Sequence, residues 1–161
     1  MSSSIQSNGF HLAQLNIARL VAPLDSEQLA DFVAALDPVN TVAEAAPGFV
    51  WRLKEDDADN ATSFTIYDDP MFIVNMSVWA DHQSLWDFAY DSDAHRTILR
   101  RRRDFFERMA EAYTVLWWVP VGHEPTVAEA RERLDHLREH GPTDYAFGLK
   151  DSHFTTPGDD V

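Results

Sequence analysis

The run from Phe10 to Leu20 alternates, with Ala13, Leu15 and Ile17 on one side and Leu12, Gln14 and Asn16 on the other. A period of two is that of a strand, here with one apolar and one partly polar face. Met71 to Trp79 repeats the pattern more sharply. Phe72, Val74, Met76 and Val78 make a wholly apolar face, and Ile73, Asn75, Ser77 and Trp79 make the opposite one. Phe49 to Lys54, after a Pro47-Gly48 turn, and Tyr113 to Val121 predict two further strands. Elsewhere the period lengthens to a helical one. Asp25 or Ser26 caps a helix carrying Leu29, Phe32, Val33 and Leu36, ending near Pro38 with a continuation through Asn40 to Ala46. Asp81 caps a second helix through Tyr90, and a third is predicted from about Asp93 to Met109. Thr126 and Glu129 make a capping box for a last helix, which Gly141-Pro142 stops after His140.

This order, β-α-β-β-α-β, is the ferredoxin-like arrangement, an α+β fold whose helices cover one face of a four-stranded antiparallel sheet. Residues 10–142 form the predicted domain. Residues 1–9 are expected to be a disordered N-terminal segment, and 143–161 a C-terminal extended arm whose Tyr145, Phe147, Leu149 and Phe154 pack on the rest. Glu55 to Pro70 reads as an acidic hairpin connection with a short strand at Ser63 to Tyr67. Gln14, Asn16, Asn75, Ser77 and Trp79 are assigned to the face without helices. That face is too apolar for water, so two chains are expected to pair sheet to sheet as a homodimer, a dimeric α+β barrel.

Composition narrows the function classes. With 161 residues, 45% of them hydrophobic, one domain can bury a substantial core. The absence of cysteine excludes disulfides, thiolate metal sites and a cysteine nucleophile. A formal charge of −14 opposes nucleic acid as a partner. The apolar runs are strand-sized and the start lacks a signal-peptide pattern, so no membrane partner and a cytoplasmic location are expected. No nucleotide-binding or serine-hydrolase motif is present.

Candidate chemistry falls on the third helix. Continued at 100° per residue, it places His95 and Arg102 on one apolar stripe with Ile98, Leu99, Phe105, Phe106 and Met109. A buried guanidinium needs an anionic partner. Arg102 would hold a substrate carboxylate or enolate while His95 transfers a proton or ligates a metal, or Arg102 would pair with an internal acid and His95 donate to a backbone carbonyl. Gln14, Asn16, Asn75, Ser77 and Trp79 are the substrate-pocket candidates, suited to a planar, hydrophobic small-molecule ligand, and a polar dimer interface is the alternative. Trp51, Trp86, Trp117 and Trp118 read as core or interface residues. His136 and His140 have helical i, i+4 spacing but no third ligand, so no metal site is predicted.

The segments HLAQLNIARL, PGFVWRL, VNMSVW, AHRTILRRRRDFFER and LWWVPVGHEPTVAEARERLDHLREHGPT resemble the bacterial domain-of-unknown-function family numbered 3291, over Phe10 to Pro142. Phe105 departs from it, where a tryptophan is usual. The resemblance implies the dimeric α+β barrel superfamily, which holds antibiotic-biosynthesis-type monooxygenases, haem-degrading monooxygenases and chlorite-dismutase-like proteins. The haem-degrading branch pairs a strand-one asparagine with a tryptophan and a haem-ligating histidine. Asn16 matches the first, Phe88 stands near the tryptophan position, and His95 lies closer to the sheet–helix junction than that ligand. The expectation is therefore a monooxygenase-like oxidoreductase without cofactor acting on a hydrophobic small molecule. A non-catalytic ligand-binding or protective dimer, and a haem protein with His95 as axial ligand, are the alternatives.

Overall fold

Strand β1 (Phe10–Arg19) runs antiparallel to both β3 (Phe72–Trp79) and β4 (Thr114–Pro120), and β2 (Phe49–Arg52) pairs with the free side of β3. The computed structural model describes residues 9–54, 66–67 and 69–157. Sheet order β2-β3-β1-β4 is ferredoxin-like, as the element order predicts. Residues 1–8 and most of the acidic connection, including Ser63 to Thr65 of the expected short strand, lie outside the described residues.

Directly paired residues share a face, so the register sorts the sheet into rows. One face carries Ala13 beside Val78 and Trp117, Leu15 beside Met76 and Val115, and Ile17 beside Val74. The other carries Leu12 beside Trp79 and Trp118, Gln14 beside Ser77 and Leu116, and Asn16 beside Asn75 and Thr114.

The helices do not lie where the sequence reading put them. Helices α1 (Ala30–Ala45) and α2 (His82–Asp91) pack on the second, partly polar face, where Ala43 and Leu85 meet Leu12, Trp79 and Leu116. Gln14, Asn16, Asn75, Ser77 and Trp79 therefore sit under helices, and the assignment to an open face is overturned. The wholly apolar face is covered by α5 (Val127–His140), whose Ala130, Leu134 and Leu137 join Ala13, Leu15, Ile17 and Met76 in the largest buried cluster. Both crossovers place their helices on one side of the sheet, but alternation in the strands cannot tell which.

The third predicted helix also ends early. Ser92 caps α3 (Asp93–Arg100), Arg101 leaves helical geometry at φ −101° and ψ 13°, and a short α4 (Arg102–Phe105) follows. Phe106 is extended, and the chain there bonds back to the end of β1 through Glu107 N–H to the Arg19 carbonyl, 2.8 Å. In contrast, α1 runs on through Pro38 as one helix, held by the packing of Phe32 and Ala43 at its two ends.

Beyond α5 the chain adds to the free edge of β4, where Leu116 and Phe147 exchange backbone bonds of 2.7 and 3.0 Å. Phe147 stacks on Phe154, and both join the cluster under α2. The arm thus packs as its aromatic residues predicted. Among the described residues, no helix is long and apolar enough to cross a membrane.

Candidate functional site

Between the partly polar sheet face and helices α1, α2 and α3 lies a cavity of about 340 Å3. Its floor holds Gln14, Asn16, Asn75, Ser77 and Trp79, and its roof includes Leu36, Ala43, Phe88, Ala89, His95 and Ile98. A cavity of this volume accepts a small organic molecule. Asn75 and Tyr113 line it and are also exposed, which places the opening beside the middle of β3 and the residue that precedes β4.

The polar floor is hydrogen-bonded across the strands. Gln14 Nε2 donates to Asn75 Oδ1 at 2.9 Å and to Ser77 Oγ at 2.8 Å. Trp79 Nε1 donates to the same Ser77 oxygen at 2.8 Å, and Asn16 Nδ2 donates to Thr114 Oγ1 at 2.8 Å. A hydroxyl has two lone pairs and one hydrogen. Both lone pairs of Ser77 are occupied, so its hydrogen is left to donate elsewhere. Asn75 keeps its amide hydrogens and Gln14 its carbonyl, since neither is used in these bonds. The floor therefore offers donors and an acceptor to the cavity.

His95 stands in the roof. Its Nδ1 lies 2.9 Å from the Ala89 carbonyl oxygen, which can only accept, so Nδ1 carries the hydrogen. Nε2 has no hydrogen-bond partner among the described residues. Burial pushes the imidazole below its ordinary value of 6.5, and the bond to Ala89 offsets this in part. The ring packs on Phe88 at 5.3 Å, and Phe88 stacks on Trp79 at 5.3 Å, which ties the histidine to the floor through aromatic contacts. The alternative weighed from sequence, donation to a backbone carbonyl, is what the structure shows, and the ring also lines the cavity.

Arg102 is not brought to this site. The helical phase that aligned it with His95 is lost at Arg101, and Arg102 is exposed, donating Nη1 to the Leu99 carbonyl at 2.8 Å. Its expected burial is overturned. The arginine lining the cavity is Arg52, which sequence reasoning missed. A β-bulge explains this. Phe49 pairs with Trp79, Trp51 with Val78 and Arg52 with Ser77, with a register shift between Phe49 and Trp51. Strict alternation from Phe49 would have turned Arg52 away. Thr114 and Tyr113 also line the cavity unforeseen.

The remaining candidates are structural. Trp117 donates to Glu129 at 2.8 Å and Trp118 to the Phe154 carbonyl at 3.0 Å, while Trp86 packs between His82 and Tyr90. Glu129 thus serves Trp117 and His123 in addition to receiving the Thr126 cap through its backbone. The His136 and His140 rings are 4.4 Å apart, and among the described residues no group of three metal-ligating side chains forms.

The family described as Domain of unknown function (DUF3291) matches residues 11–160. No curated protein matches. Among solved structures, a conserved protein from Methanosarcina mazei is 10% identical with a TM-score of 0.48, covering 71% of this chain and 95% of its own. SnoaB, a cofactor-independent oxygenase from Streptomyces nogalater, is 17% identical with a TM-score of 0.39, covering 74% and 98%. A dabb family protein with a ferredoxin-like fold from Mesorhizobium loti is 15% identical with a TM-score of 0.39, covering 70% and 99%. The fold assignment rests on the strand register of this chain rather than on these likenesses.

Proposed function

The chain belongs to the DUF3291 family, and for it we propose a monooxygenase-like oxidoreductase that acts on a hydrophobic, conjugated small molecule held between sheet and helices. The observation that carries the reading is the state of His95: a neutral imidazole with Nδ1 fixed on Ala89, and Nε2 unclaimed among the described residues beside the cavity. Such a nitrogen is a proton acceptor at neutral pH. A base held below pKa 6.5 is weak, so it suits an acidic carbon or phenol whose anion the site stabilises. The Asn75 amide supplies donors for that charge.

The reaction balances without an added reductant. His95 takes a proton from an activated CH2 group, and the carbanion delivers electrons to O2. One oxygen atom ends in the new C=O and the other leaves as water with the two hydrogens. No cofactor enters this reading.

The haem alternative finds Nε2 of His95 available as an axial ligand, but the rest of the lining fits haem poorly. Two propionates call for cations at the opening, where the residues are the neutral Asn75 and Tyr113. The lining arginine, Arg52, offers one guanidinium for two propionates and stands in the sheet row beside Ser77. Pairing of two copies, expected from sequence, loses the open sheet face that motivated it.

Anthrone, an aromatic ketone with an acidic CH2, provides the test by oxygen electrode and absorption. The expected result is one O2 consumed per anthraquinone formed, with His95→Ala slowing it about 100-fold or more. Anthrone that binds without turnover would leave the non-catalytic ligand-binding reading in its place.

A further inference from the structure

Arg52, Ser77 and Gln14 are successive partners across β2, β3 and β1, so their side chains rise in one row from the cavity floor. Neighbouring strands lie about 4.8 Å apart, which sets the Arg52 stem directly beside Ser77. The Arg52 side chain is 9% exposed, whereas its partner Glu44 is 41% exposed. Nε donates to Glu44 Oε2 at 2.7 Å, which uses one of five guanidinium N–H groups. Among the described residues, its two terminal nitrogens have no partner. An ion pair with so exposed an acid could form at the surface without burying the arginine. The arginine also lines the cavity. Ser77, with both lone pairs taken by Gln14 and Trp79, has only its hydrogen left to offer.

We propose that Arg52 and Ser77 form a cradle for the carboxylate of an aromatic acid, with Glu44 as the positioning residue that fixes the guanidinium through Nε. The planar N–H edge matches a carboxylate, and the serine hydroxyl adds a third donor from the neighbouring strand. The net charge of −14 works against any anion, so a preference for one has to come from the site itself. This inference rests on the reading of the cavity as a small-molecule site.

The test is calorimetric titration at neutral pH with two probes of like shape, 2-naphthoate and the uncharged 2-acetylnaphthalene. Naphthoate should bind about tenfold or more tightly than the ketone. Arg52→Met should erase that preference and leave ketone affinity unchanged, and Ser77→Ala should reduce it. Glu44→Ala should weaken naphthoate alone, with Glu44→Gln, which still accepts from Nε, restoring it. Equal binding of the two probes to the wild-type protein overturns the cradle without recourse to any variant. So does an Arg52→Met protein that loses both probes alike. Failure of both probes to bind the wild type removes the cavity reading itself.

Discussion

His95 and Ala89 are joined across the α2–α3 junction by an Nδ1–H to carbonyl bond of 2.9 Å, and this one contact sets the tautomer of the ring in the cavity. Long-range 1H–15N spectra of the histidine rings should show one residue as the Nδ1–H tautomer with a titration midpoint below 6.5. His95→Ala removes that signal. A midpoint above 6.5 would mean that the ring is charged near neutrality and cannot serve as the proposed base.

The same shift fixes the sign of a stability effect. The folded chain holds His95 below its ordinary value, so on acidification the unfolded chain takes up the proton first. The contribution of His95 is complete above pH 6.5 and is lost as pH falls below it toward the folded value. Compared with wild type, His95→Asn should show a shallower loss of melting temperature in that window. An identical slope in both proteins contradicts the assignment.

Arg52 and Arg102 should separate cleanly in melting experiments. Arg102 is exposed and bonds only a local carbonyl, so Arg102→Ala should stay within about 0.5 kcal/mol of wild type. Arg52→Met strands Glu44, but that acid is partly solvated, which holds the cost to about 1–2 kcal/mol. Thermal denaturation of the two variants checks the order. A large loss at Arg102 would restore its reading as a buried ion-pair residue.

Phe147 is buried, stacks on Phe154 and shares backbone bonds with Leu116 under the cavity. Phe147→Ala should cost about 3–5 kcal/mol, lowering the melting temperature by about 10 °C. Near-normal melting would show that the C-terminal arm is an accessory rather than part of the core.

Because α5 covers the wholly apolar sheet face and the cavity is lined by the sheet and helices α1, α2 and α3, ligand binding should show one site per chain. Its affinity should not change with protein concentration over the range in which analytical ultracentrifugation follows the assembly state. A binding constant that tracks association would place a second copy in the site.

Much of this protein was legible in its sequence. Alternation along Phe10 to Leu20 and Met71 to Trp79, the Asp81 and Thr126 caps and the Gly141 stop determined the elements, because each is a local property of a few neighbouring residues. Grouping Gln14, Asn16, Asn75, Ser77 and Trp79 on one face was equally local, since a strand has a period of two.

What the tertiary structure decided was on which side those groups lie and what they meet. The side of the sheet taken by α1 and α2 depends on which apolar surfaces fit together, and α5, remote in sequence, claimed the more apolar face. One residue out of register at the Phe49–Trp51 bulge turned Arg52 into the cavity, and one break at Arg101 released Arg102 to solvent. Periodicity carries phase only while the element is unbroken. Bulges and helix breaks are set by distant packing, so the residues beyond them are oriented by the fold.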